Sequence, residues 1–227
     1  MKWIFVFKEK IKVALALTVA TTAILLINLV MSRNVSEIDE SVTSIYNDRM
    51  VAGQDISKII EVIYQNQLLV EEHIHAEEVE LYDRLERKLA HNHLVADSLI
   101  SHFKKTVMTA EESQTLKVYE QNNGVYKVLQ GQLIALSRRG EKELAYRDFL
   151  QHRQDEFQRV LRPAHQLVAI QAAVGKQIYH TLHQNLQMAQ LLSSLETAIA
   201  IVFGLIILLL LKASSLILPK PQKYWLN

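Results

Sequence analysis

Residues 71–78 read EEHIHAEE, two histidines one residue apart with a pair of glutamates on each side. Neutral imidazole and carboxylate together can hold zinc or nickel, and imidazole alone exchanges protons near neutral pH. Either use depends on the backbone. On a helix, positions i and i+2 point about 200° apart, so His73/His75 and His91/His93 can chelate one ion only where a turn breaks the helix. His180 and His183, at i and i+3, share a face, but it lies opposite the apolar stripe and reads as solvated. His102 falls on a core stripe and is expected to make an interior polar contact, whereas His165 lies off it.

Other chemistries find no residues. The chain has no cysteine, which removes disulfides, thiolate metal sites, thioether-linked haem and thiol nucleophiles. No serine, histidine and acid arrangement or phosphate loop stands at a recognisable spacing. A di-iron bundle would need Glu-x-x-His on two helices, a pattern the sequence lacks. The expectation is a non-enzyme with no catalytic residue and no cofactor.

The elements that place EEHIHAEE follow from composition and apolar spacing. With 49% hydrophobic residues, 22% charged, six Gly and three Pro in 227, the chain reads as all-α. Val13 to Met31 carries no charge over nineteen residues, which at about 1.5 Å per residue nearly spans a ~30 Å hydrocarbon core. A cleaved signal peptide is the alternative, disfavoured by the length of the apolar run. Thr197 to Leu211 is a second such stretch, reaching Leu218 if the Lys212 stem bends toward the headgroups. Lys2, Lys8, Lys10 and Lys12 before the first stretch, and Lys212, Lys220 and Lys223 around the end of the second, predict both termini in the cytoplasm.

The division is then 1–12 cytoplasmic, 13–32 first span, 33–195 outer domain, 196–218 second span and 219–227 cytoplasmic tail. The outer segment holds 18 Lys and Arg against 22 Asp and Glu, a net of about −4, so no nucleic-acid partner is expected. Membrane lipid is.

Within the outer segment, apolar residues recur at helical spacing in four runs, predicting an up-down antiparallel four-helix bundle between the two transmembrane helices. Thr109 to Glu112 offers a capping box, and Arg138-Arg139-Gly140 offers a basic, glycine-terminated stop, so the third helix covers roughly 110–139. A neighbour of matching length would end near Val107 and start near Glu77 or Glu78. Gly53 as the turn would make that helix about 80 Å long, and it is rejected except as a kink or close contact. Gly124 and Gly131 are expected to mark close helix packing.

EEHIHAEE thereby moves to the distal tip, opposite SRRGEK. Glu71, Glu72, Glu77, Glu78 and Glu80 are expected to face Arg138, Arg139 and Lys142 as a charge clasp. His73, His75, Glu77, Glu78, Arg138 and Arg139 are the candidate ligand-binding residues, with His73 and His75 the candidate metal ligands. Tyr46, Asp48 and Arg49 read as a polar layer at the base of the bundle, and Pro163 as a bend in the last helix.

IYNDRM at 45–50 with QDISKIIEVIYQNQLL, ALSRRGEKELA at 135–145 and the proline of VLRPAHQL at 160–167 resemble the four-helix-bundle sensor module of methyl-accepting chemotaxis receptors. The resemblance covers roughly residues 10–215. It implies a bacterial inner-membrane sensor with a periplasmic or extracellular bundle, which works as a homodimer and shifts its last helix slightly on binding. Such a receptor would continue into a linker and a kinase-contacting hairpin, whereas PKPQKYWLN follows the second span here. The expected partner is therefore a membrane receptor or kinase. The alternatives are a metal- or proton-binding surface module without signalling and a truncated receptor remnant.

Overall fold

The computed structural model describes the backbone of residues 2–153 and 155–215. The end of the second span and the tail, 216–227, lie outside the described residues, as do the side chains of the basic N-terminal stretch. The chain runs α1 (Lys2–Ser44), a π-helical segment (Ile45–Val51), α2 (Ala52–His75), α3 (Val79–Phe103), α4 (Ala110–Arg138), α5 (Lys142–Arg153) and α6 (Asp155–Ser215), with no strand among the described residues. It forms two compact units, residues 41–180 and residues 1–40 with 181–227.

The first unit is the expected four-helix bundle, built from α2, α3, α4, and α5 with the beginning of α6. Its main core joins Ile56, Ile59 and Ile63 of α2, Phe103 of α3, Tyr119 and Tyr126 of α4, and Phe157, Leu161 and Leu167 of α6. Removing that apolar surface from water is the main force holding the four helices together. A smaller cluster of Val70, Ile74, Leu89, Leu133, Ala145 and Phe149 fills the distal half.

The turns are where chain length and local chemistry place them. Residues 76–78 interrupt the helix between α2 and α3, so that α3 starts at Val79, next to the Glu77 or Glu78 that length matching assigns, and ends at Phe103, short of Val107. Thr109 accepts from the Glu112 amide at 3.2 Å, and Glu112 Oε2 accepts from the Thr109 amide at 2.5 Å, completing the capping box. At the other end Gly140 takes a φ of +79°. Its amide reaches Ser137 O at 3.0 Å and the Glu141 amide reaches Leu136 O at 3.1 Å, the paired bonds of a left-handed glycine cap.

Gly53 lies inside the opening helices, and no neighbour comes within 4 Å of a Cβ placed there. The same holds for Gly124 and Gly131, so the close packing expected of those two is absent, and of the two readings of Gly53 the close contact is absent as well. The close approach falls instead at Gly175, whose Cβ position is 3.7 Å from Arg49 Cβ.

In the second unit, α1 and the end of α6 present Leu25, Leu26, Leu29, Leu205, Leu208 and Leu209 outward. Each of the two helices contains a stretch long and apolar enough to cross a membrane. Thr18, Thr21 and Thr22 return their hydroxyls to the carbonyl four residues back, so these polar groups are satisfied within the helix. Asn28 donates to Glu196 at 3.0 Å and Asn185 to Glu37 at 3.2 Å, cross-linking the two helices.

Candidate functional site

The sequence directs attention to the tip, and the structure builds a clasp there from different acids. Helix α2 runs through both His73 and His75, so their rings leave on different faces and share no ion position. His73 is fully buried, with Nδ1 3.0 Å from Ser137 Oγ and Nε2 3.0 Å from Glu86 Oε1. His75 is exposed and meets the Tyr146 ring edge-on at 5.0 Å. The metal expectation on these two residues is corrected by the continuity of that helix. Among the described residues, no three His, Asp or Glu side chains stand together as a metal site.

The basic turn does close on this end of the bundle, but Arg138 takes Glu86 at 2.5 Å and Asp83, both on α3. Arg139 pairs with Glu141 of its own turn at 3.2 Å, and Lys142 donates to the Ala76 carbonyl, which also receives the Tyr82 hydroxyl at 2.9 Å. Glu77 and Glu78 stay exposed. The sequence counted carboxylates nearest the turn, whereas the acids that reach Arg138 sit one to two turns into α3, on the face toward α4.

The clasp is electrostatically coherent. Ser137 donates its hydroxyl proton to the His73 carbonyl oxygen at 2.9 Å, while the His73 ring bridges Ser137 Oγ through Nδ1 and Glu86 Oε1 through Nε2. Burial holds the imidazole below its ordinary range, outweighing the bond to Glu86. The bond from Arg138 holds the Glu86 carboxyl low, and Arg138 is in turn raised by Glu86 and Asp83. A serine, a histidine and an acid are thus in contact. The serine is buried and its hydroxyl is spent on α2, so the trio ties α2, α3 and α4 together and presents no nucleophile.

The base of the bundle holds a constellation that sequence reading placed only as a polar layer. Arg49, in the π-helical segment, is 7% exposed, and its Nη1 lies 2.7 Å from Oε1 of Glu112, which is fully buried. The same nitrogen is 3.3 Å from Gln171 Oε1 of α6, and Nη2 donates to Val107 O at 2.8 Å. Asp48 accepts from the Val107 amide at 3.1 Å and from Ser44 at 3.0 Å. One guanidinium, carried by the first helix of the bundle, therefore touches the loop before α4, the start of α4 and the last helix. A π-helical stretch carries an extra residue per turn, which re-aims the side chains beyond it. Nothing in IYNDRM announces that extra turn.

His102 corrects the sequence reading as well. Its side chain is 55% exposed, and it meets Asp55 at 2.5 Å on the rim of the α2–α3 contact. His165 is exposed, as expected of a residue off the stripe.

The chain matches the family model described as a four helix bundle sensory module for signal transduction over residues 7–186, and it belongs to that family. No curated protein and no solved structure matches it.

Proposed function

We propose that this protein is a membrane-anchored, extracytoplasmic sensor of the chemoreceptor type, with both ends in the cytoplasm of a bacterium and the bundle outside the inner membrane. It works as a homodimer and passes its state to a membrane receptor or kinase that supplies the output; it catalyses no reaction. The observation that carries this reading is the continuity of α6. Asp155 to Ser215 is one helix that contributes Phe157, Leu161 and Leu167 to the bundle core and then contains a stretch apolar enough for lipid. A displacement of that helix in the bundle has a covalent route inward.

The base constellation supports the same reading. Gln171 of α6 is held to Arg49 at 3.3 Å, a weaker bond than the 2.7 Å ion pair beside it. A shift of the last helix would strain this weaker bond before the ion pair beside it. For the dimer, Val42, Tyr46, Met50 and Tyr64 form an exposed apolar seam along the first helix, near heptad spacing, with exposed Ser57 in the same row.

The test is a hybrid in which α6 is joined in helical register to the complete cytoplasmic half of a chemoreceptor. Kinase output is followed while amino acids, organic acids, metals and pH are varied outside. Output that responds to one of these and loses the response in Gln171→Ala supports the proposal. Output indifferent to all of them contradicts it.

A further inference from the structure

A cleft of about 620 Å³ opens between α2 and α3, away from both constellations described above. Its α3 wall carries Arg84, Arg87 and Lys88, all exposed, at i, i+3 and i+4 on one face. Cations at that spacing repel one another, and among the described residues none of the three has a carboxylate within ion-pair distance. The facing α2 wall supplies Leu68, 64% exposed, and Leu69, with Gln65 at one end and Glu72 at the other. The volume falls in the range of small-molecule sites, and the lining combines a basic wall with an apolar one.

The charges set the ligand class. Three cations against Glu72 leave a net of +2 on the cleft, with His91 beside them adding charge only when protonated. Two guanidiniums one turn apart present paired donors that match planar carboxylates, whereas Lys88 acts as a point charge. Leu68 and Leu69 offer an apolar surface to a short carbon skeleton, which a bare inorganic anion would leave unused. We infer that the α2–α3 cleft binds a small organic dianion with two carboxylates joined by a short aliphatic chain. This site goes beyond the sensor reading: binding there requires neither a dimer nor an output, and its failure would leave that reading standing.

The test is calorimetric titration of the full chain in detergent with succinate, alongside acetate, inorganic phosphate and sulfate at matched ionic strength. Succinate is expected to bind more tightly than the other three. Arg84→Gln and Arg87→Gln are each expected to weaken it about tenfold or more, as loss of a charged hydrogen-bond donor implies. Arg87→Lys, which keeps the charge but loses the fork, should fall between wild type and Arg87→Gln, and Arg159→Gln on α6 should change nothing. All these side chains are exposed, so the variants are expected to keep the wild-type circular dichroism. No heat with millimolar succinate, equal binding of succinate and phosphate, or unchanged affinity in Arg84→Gln with Arg87→Gln would each overturn the assignment.

Discussion

Arg49 and Glu112 meet nitrogen to oxygen at 2.7 Å from positions 63 residues apart, and both are buried at the base of the bundle. Removing one partner strands the other charge away from water, at a cost of about 3–5 kcal/mol. Arg49→Met alone is therefore expected to lower the thermal midpoint of the full chain in detergent sharply. Adding Glu112→Gln should recover much of the loss, because the amide is uncharged and can still accept from the Thr109 backbone. A harmless Arg49→Met would show that the pair does not hold the base together.

Thr109 gives a second, smaller expectation. Its hydroxyl accepts from the Glu112 amide at the start of α4, and Thr109→Ala should cost about 1 kcal/mol, with Thr109→Ser nearly neutral. Urea unfolding read at the bundle's tyrosines would measure both.

Acid should weaken the tip in two stages. Burial keeps His73 below its ordinary 6.5, so above that pH neither folded nor unfolded chain carries the proton and its contribution is complete. As pH falls below 6.5 the unfolded chain takes up the proton first, and stability declines until the pH reaches the lowered value of the folded state. Glu86 is held below its ordinary 4.5 chiefly by Arg138, so its contribution is present above 4.5 and is lost as pH falls below it. Urea midpoints at pH 7.5 and 5.5 should differ in the wild type and differ less in His73→Gln. A residual slope is expected from His93, which burial and Lys127 also hold low. An identical pH dependence in wild type and His73→Gln would contradict the assignment.

These three sites show which features the sequence carries openly. Thr109, Glu112 and Gly140 act through backbone groups a few residues away, so their types and spacing suffice to locate both ends of α4. The turn at 76–78 followed from matching helix lengths, and that alone brought EEHIHAEE to the tip. Side-chain partners across helices were another matter. Whether Arg138 would find Glu77 or Glu86 depends on the rotation of α3, and whether Arg49 would point inward depends on a π-helical turn that no residue type marks. His102 failed for the same reason: a stripe read from spacing is uncertain by a residue or so at its edge, enough to turn a ring from the core to the rim.

The proposed dimer seam can be tested by introducing single cysteines into a chain that has none. Ser57→Cys, exposed in the row of Met50 and Tyr64, should give a disulfide-linked dimer in oxidised membranes, while Ser98→Cys on α3 should not. Equal crosslinking at both positions would point to random collision.

The proposed placement of the bundle outside the membrane, between two inward-facing ends, is tested most directly by labelling single cysteines in intact cells with a membrane-impermeant maleimide. Ser98→Cys in the exposed wall of the bundle is expected to label without permeabilisation, and Lys8→Cys only after it. Labelling of Lys8→Cys in intact cells, or protection of Ser98→Cys until the cells are opened, would contradict the account.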